Sequence, residues 1–324
     1  MPSDLIQRAV ERLGTGPGPS LVERAATRLN ADKRVEGLGP RDPKAPSVAD
    51  VELRGPRMVP GAAAPGAAPG SGAAWKPEAA SFEASTSVEI DFDRLEERGM
   101  VTPSSNRSLI AEEYRMIKRP LLNVALAEGE AAVRNGNLIM VTSARPGEGK
   151  TFTAINLALS IASERDIQVL LVDADSKQTT MLSQLGLAAE TGLVDMLAGD
   201  QPLSQVMLKT NLPNLMILPA GRAHPNATEL LASREMEDLV EALASQSRRR
   251  IIIFDAPPVL ASSEATVLAQ HVGQVLVVVE AEKTNRRALE GTLALIKGCP
   301  NINMLLNKSK FSLGSEYFGA YYGD

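Results

Sequence analysis

Residues 138–156 read LIMVTSARPGEGKTFTAIN, and the fold class follows from them. The run from Leu138 to Val141 is apolar without alternation, which predicts a strand buried on both faces. It breaks into a loop holding Pro146, Gly147 and Gly149, and an amphipathic helix is predicted from Lys150 onward through Ile155, Leu157, Ala158, Leu159 and Ile161. Strand, glycine loop and helix are the setting that a phosphate-binding loop needs. The string ARPGEGKT (144–151) matches the Walker A pattern, with Ala144 in place of the first glycine. Gly147 and Gly149 allow backbone N–H groups to turn inward around phosphates, and the helix N-terminus adds its positive dipole end. The nucleotide-binding set is therefore Pro146, Gly147, Glu148, Gly149, Lys150, Thr151 and Phe152. Lys150 is expected to neutralise the β- and γ-phosphates and to have no role in the core, and the Thr151 hydroxyl to bind Mg²⁺.

Outward from this loop, buried apolar runs alternate with helical patterns up to residue 308. The runs are LIMV (138–141), VLLVD (169–173), LMIL (215–218), IIIFD (251–255), VLVVV (275–279) and INMLLN (302–307). They predict an α/β fold, a mostly parallel sheet flanked by helices, and with the glycine loop this resembles the P-loop NTPase (MinD/ParA-like) fold. The nucleotide is then expected at the C-terminal ends of the strands.

Two of those strands end in aspartate. LLVDADSK (170–177) supplies Asp173 and Asp175, and IIIFDAPP (251–258) supplies Asp255. Carboxylates beside a triphosphate make electrostatic sense only with a cation between them. Thr151, Asp173 and Asp255 are expected to form the Mg²⁺ shell. Asp175, two residues past the strand end, is the expected general base, so the catalytic set is Lys150, Asp173 and Asp175.

The 324-residue chain carries a net charge of −5, which gives no global basic field for nucleic acid. Its single cysteine, Cys299, excludes an internal disulfide framework and suits a reducing compartment. No apolar run approaches the roughly 18–20 residues that span a bilayer. The N-terminus, MPSDLIQRAVERLG, has no signal-peptide core. A cytoplasmic protein, reaching the membrane only through a partner, is expected.

Four segments are expected. Residues 1–35 hold a weak helical repeat, LIQRAVERL (5–13) and LVERAATRL (21–29), each with an apolar stripe suited to docking. Residues 36–87 are rich in Pro, Gly and Ala and read as a disordered linker that includes the lone Trp75. Residues 88–310 form the nucleotide-binding domain. It opens with VEIDFD (88–93), which alternates like a short strand or extended arm. A helical stretch then follows in which Pro120 marks a kink or boundary. Residues 311–324 form a tail, SEYFGAYYGD at its end, and three of the chain's four tyrosines fall in its last eight residues: Tyr317, Tyr321 and Tyr322.

Together these motifs resemble the bacterial tyrosine kinases, which combine a Walker A loop, a Walker A′ motif ending in DxD, a Walker B motif ending in DxPP, and a C-terminal tyrosine cluster. The match covers about residues 105–324 and includes PNATELLAS (225–233). The resemblance implies ATP and Mg²⁺ as cofactors and autophosphorylation at Tyr317, Tyr321 and Tyr322. It also implies a ring of subunits docked through an E-x-x-R-x-x-R element. Glu112, Arg115 and Lys118 take that spacing here, with lysine as the last member. IDFDRLEERGMVTP (90–103) followed by AEEYRMIKRPLL (111–122) is similar to tyrosine autokinases of exopolysaccharide and PEP-CTERM (exosortase) gene clusters. There the kinase is a separate soluble chain, which implies a polysaccharide co-polymerase-like membrane protein as activator and a tyrosine phosphatase as a further partner. Lys177 stands where the Walker A′ motif often has arginine. Asn307 is similar to the adenine-reading asparagine of related P-loop ATPases.

Three functions compete: an ATP-dependent autokinase that regulates exopolysaccharide synthesis or export, a MinD/ParA-type ATPase that partitions or positions cargo with water as nucleophile, and a nucleotide-dependent scaffold, which the N-terminal repeat and long linker support but the full carboxylate set opposes. The tyrosine tail, the DAPP string and the absence of lysine at Arg145 favour the kinase.

Overall fold

The structure, a computed structural model, describes residues 84–105, 108–177 and 180–309. The N-terminal repeat, Trp75 and the three tail tyrosines lie outside the described residues.

Eight strands are present in chain order: β1 (Thr86–Val88), β2 (Leu138–Ser143), β3 (Gln168–Asp173), β4 (Leu208–Thr210), β5 (Leu215–Leu218), β6 (Arg250–Asp255), β7 (Gln274–Glu280) and β8 (Asn301–Asn307). They form one sheet in the order β1-β4-β5-β3-β6-β2-β7-β8. All neighbours pair in parallel except β4 and β5, whose antiparallel contact turns β1 and β4 against the rest. Every apolar run named above lies within one of these strands. β2, the central strand of the loop motif, is buried at all six positions. Ile139 and Val141 join one hydrophobic cluster, Leu138 and Met140 the other, so each face of the strand meets a helical layer.

The first layer holds α1 (Phe92–Glu97), α2 (Leu109–Ala125) and α3 (Lys150–Ala162), the helix that follows the glycine loop. Of the 13 residues of α3, 12 are buried. The expected amphipathic helix is thus buried almost all round, because α2 covers the side that would otherwise face water. The remaining helices are α4 (Met181–Leu185), α5 (Leu193–Leu197), α6 (Leu203–Val206), α7 (Ala227–Leu231), α8 (Arg234–Gln246), α9 (Ser263–His271) and α10 (Arg286–Leu295). Of these, α5, α8 and α9 build the second layer.

Two local expectations change. The sheet takes in Thr86 and Ser87, which had been assigned to the linker, while the second half of VEIDFD starts α1 rather than extending a strand. Asp91 caps that helix by accepting the Arg94 N–H, which outweighs the period-two pattern. Of the two alternatives for Pro120, kink or boundary, the boundary is excluded, since the residue lies inside α2. Pro120 and Met116, whose carbonyl loses its helical donor, are both exposed, so water can take the place of the missing bond.

Candidate active site

The parallel strands bring their C-terminal ends to one edge of the sheet. There Asp173 of β3 is the register partner of Asp255 of β6, and Asp255 is that of Val141 on β2. The turn after β6 is tied to the loop strand: Thr142 donates its hydroxyl to the Pro257 carbonyl at 2.7 Å, and the Ala256 N–H donates to the Val141 carbonyl at 3.0 Å. Register alone thus sets two carboxylates beside the glycine loop.

Gly147 and Gly149 both take positive φ, +83° and +100°. A Cβ on Gly149 would also lie 2.1 Å from the Asn307 side-chain nitrogen, so any other residue there is strained and displaces Asn307. Glu148, expected among the nucleotide ligands, turns its side chain into the loop's scaffold instead. It accepts the Arg145 N–H at 2.9 Å and the Thr284 hydroxyl at 2.5 Å, and is buried. Only its backbone remains for a ligand. Pro146 is exposed and Phe152 half-buried against the first layer.

Lys150 and Thr151 open α3 and are both buried. The Lys150 ammonium donates to Asp175 at 2.8 Å and lies 3.8 Å from Asp255. The expectation that Lys150 has no role in the core is corrected: with three buried aspartates around it, it is the cation that holds them together. Asp175, the expected base, is therefore engaged by the lysine in this state. Its N–H also donates to Asp173 at 3.2 Å.

The carboxylates carry more negative charge than one lysine balances. Burial first, then the neighbouring Asp255, pushes the Asp173 carboxyl up to about 8. Burial raises Asp255 to about 6, against the pull of Lys150 and of the Thr151 hydroxyl. Asp255 Oδ1 is buried with no hydrogen-bond partner. Such a site favours an added proton or a cation. A hydroxyl and two carboxylates are hard oxygen donors of the kind Mg²⁺ takes, so the residues fit the ion. Among the described residues no group of three His, Cys, Asp or Glu is arranged to hold a metal by itself.

The sequence reading missed three contributors on the far side of the loop: Thr284, Glu280 and Lys308. Lys308 donates to the Gly147 carbonyl at 2.7 Å and pairs with Glu280 at 3.3 Å. Its neighbour Asn307, expected at the adenine, donates to the Glu148 carbonyl at 2.9 Å. The signal was adjacency, since Lys308 follows the noted asparagine directly. A second unforeseen group is Glu264, nearly buried on α9, which accepts from Thr228 at 2.7 Å and pairs with Lys177 at 3.2 Å. That contact ties PNATELLAS and the end of the DADSK segment together at the same edge.

The proposed subunit contact is rearranged. Glu112 and Arg115 pair with each other on α2. Lys118 does not join them: it is buried, donating to the Ser160 carbonyl at 2.6 Å and pairing with Glu164 at 2.8 Å. Lys118, expected with them at the subunit contact, is instead committed to the packing of α2 on α3, because the i+6 position falls on the side of α2 that meets α3.

The AAA domain family matches residues 136–311. Tyrosine-protein kinase YwqD of Bacillus subtilis is 32% identical over 230 residues, spanning 70% of this chain and 92% of that protein. Tyrosine-protein kinase ptk of Acinetobacter johnsonii is 33% identical over 188 residues, 58% of this chain but only 25% of that longer protein. In structure, the kinase domain of Escherichia coli tyrosine kinase ETK covers 68% of this chain and 97% of that domain, with a TM-score of 0.53 at 24% identity.

Proposed function

The chain belongs to the bacterial tyrosine-protein kinases, with their AAA domain, and on that premise we propose that it transfers the γ-phosphoryl group of ATP to tyrosine hydroxyls of its own tail. The observation that carries this reading is the Lys150–Asp175 pair at 2.8 Å, beside the glycine loop. An incoming triphosphate is a stronger claim on the ammonium than one carboxylate. As Lys150 turns to the β- and γ-phosphates, its hold on Asp175 is released and the carboxylate can accept the proton of a tyrosine hydroxyl. The base is thus masked until the donor is bound. The N–H groups of the loop and of the start of α3 would hold the phosphates, and the Ala256 and Val259 N–H groups tie the turn after β6 to the Val141 and Ser143 carbonyls of β2. Asp173, Asp255 and Thr151 would hold Mg²⁺, which when bound neutralises charge building up on the transferred group.

The domain plan follows from the same reading: a docking segment (1–35), a linker to about residue 85, the kinase body to about 310, and a substrate tail with Tyr317, Tyr321 and Tyr322. The setting we infer is exopolysaccharide synthesis or export, with a membrane co-polymerase-like activator, a tyrosine phosphatase that resets the tail, and a ring of subunits built on the α2 face. No helix among the described residues is long and apolar enough to cross a membrane, which accords with attachment through that activator. The test is Asp175→Asn. Single-turnover transfer to the tail is expected to fall at least about a hundredfold while the affinity for Mg–ATP changes little. Collapse of Mg–ATP binding with normal transfer per bound nucleotide overturns the base assignment.

A further inference from the structure

The end of β8 touches the phosphate loop twice, through consecutive residues. Asn307 donates to the carbonyl of Glu148 at 2.9 Å, and Lys308 to that of Gly147 at 2.7 Å. Both acceptors are backbone carbonyls of the loop, and peptide planarity gives that a direct consequence. The C=O of Gly147 is antiparallel to the N–H of Glu148, and the C=O of Glu148 to the N–H of Gly149. Drawing the two carbonyls toward β8 therefore turns the two N–H groups the opposite way, into the bowl of the loop where phosphate oxygens belong.

Three further features separate this from casual surface contact. Lys308 adopts φ +57°, a left-handed backbone that costs a lysine energy and persists where surrounding contacts demand it. Its ammonium is held by Glu280, which is itself nearly buried at the end of β7 and pairs with Lys283 at 2.6 Å. Thr284, four residues on, holds the Glu148 side chain in the same loop and accepts the Glu280 N–H at 3.0 Å. The ends of β7 and β8 thus form one brace on the side of the loop away from Asp173.

We propose that Lys308 and Asn307 are positioning residues for the nucleotide: they orient the Glu148 and Gly149 N–H groups toward its phosphates by holding the preceding carbonyls. The inference rests on the nucleotide reading above. It assigns Asn307 a role toward the phosphates rather than toward adenine, and gives Lys308 a role that its exposure conceals.

The test is calorimetric titration of the full chain with two probes, Mg–ADP and Mg–pyrophosphate. Lys308→Met removes the donor, Lys308→Gly removes it while relieving the left-handed backbone, Lys308→Arg keeps a cation, and Asn307→Ala removes the second donor. Lys308→Met, Lys308→Gly and Asn307→Ala are expected to weaken both probes by the same factor, roughly three- to tenfold. Lys308→Arg should recover most of that loss, and the nucleotide-free melting temperature should hardly move. An Asn307→Ala loss confined to Mg–ADP means that the side chain reads adenine and overturns its part. Wild-type affinity in Lys308→Met, or in Lys308→Gly alone, overturns the part of the ammonium. A wild-type chain that binds neither probe overturns the nucleotide reading itself, a result distinguishable from the others.

Discussion

At the scale of single residues, buried charge decides most of what the site can do. Lys150 lies within 4 Å of both Asp175 and Asp255, so Lys150→Met strips the phosphate ligand and also leaves buried carboxylates less balanced. Phosphoryl transfer is expected to fall by at least about a thousandfold in an assay of tail labelling. The melting temperature of the nucleotide-free protein should fall too, which the sequence alone argued against. The sequence showed the lysine's place at a helix start but not the three aspartates folding over it, because that contact joins strands far apart in the chain. Asp195 illustrates the opposite balance. Burial opposes its charge, but the Arg222 side chain, the Arg222 N–H and the Gly192 N–H together hold its carboxyl below the ordinary value. A depressed folded-state value means the stabilisation is complete above the unfolded pKa of about 3.9 and drains away as pH falls through the folded one. Asp195→Asn should therefore cost about 1.5–3 kcal/mol at pH 7, and the gap from wild type should close below about pH 4 in thermal melts across pH.

At the scale of elements, α2 carries the clearest conflict between local rule and observed structure. Pro120 forfeits a helical hydrogen bond to Met116, yet α2 runs unbroken from Leu109 to Ala125 because Tyr114, Leu121, Leu122 and Ala125 bury themselves on the other side. Packing outweighs a local cost of about 3 kcal/mol. Pro120→Ala restores the bond but loosens the unfolded chain, so a net gain of about 1–2 kcal/mol is expected, read as a higher melting temperature. The same contrast explains what was legible in the sequence. Strands such as IIIFD and VLVVV could be read because a strand covered on both faces must be apolar at every position. The start of α1 could not, since in VEIDFD the Asp91 cap competes with an alternating pattern and only the neighbouring packing of Leu95 settles the outcome. The phosphate loop was legible because its glycines and lysine are contiguous. Its brace was not, because Thr284 and Lys308 reach the loop from strand ends more than 130 residues away in sequence.

At the scale of the whole molecule, the body and the tail divide the tyrosines between two fates. Tyr114 is the one tyrosine among the described residues; it is buried between α2 and α3, and burial lifts its phenol above the usual range against the pull of Thr153. A hydroxyl so enclosed is no substrate, so any phosphotyrosine on the folded chain must come from Tyr317, Tyr321 and Tyr322. β8 ends at Asn307 on the nucleotide side of the sheet, and the proposed ring on the α2 face would offer each tail a neighbour's site. Proximity then replaces diffusional encounter. Each phosphate adds a charge of about −1.5 to −2 beside Glu316 and Asp324, and the site that receives the tail already holds Asp173, Asp175 and Asp255. On the proposed reading a phosphorylated tail would be repelled from that site and the ring would loosen. Replacing Tyr317, Tyr321 and Tyr322 by phenylalanine should therefore abolish tyrosine labelling with ATP–Mg²⁺ and leave large oligomers intact, while wild type breaks down to smaller species as it autophosphorylates. Size-exclusion chromatography with light scattering, with and without ATP–Mg²⁺, reads both. Equal mass for the phosphorylated wild type and the triple variant rules out control of assembly by the tail, whereas residual labelling of the triple variant would show that Tyr114 becomes accessible and that the body opens during turnover.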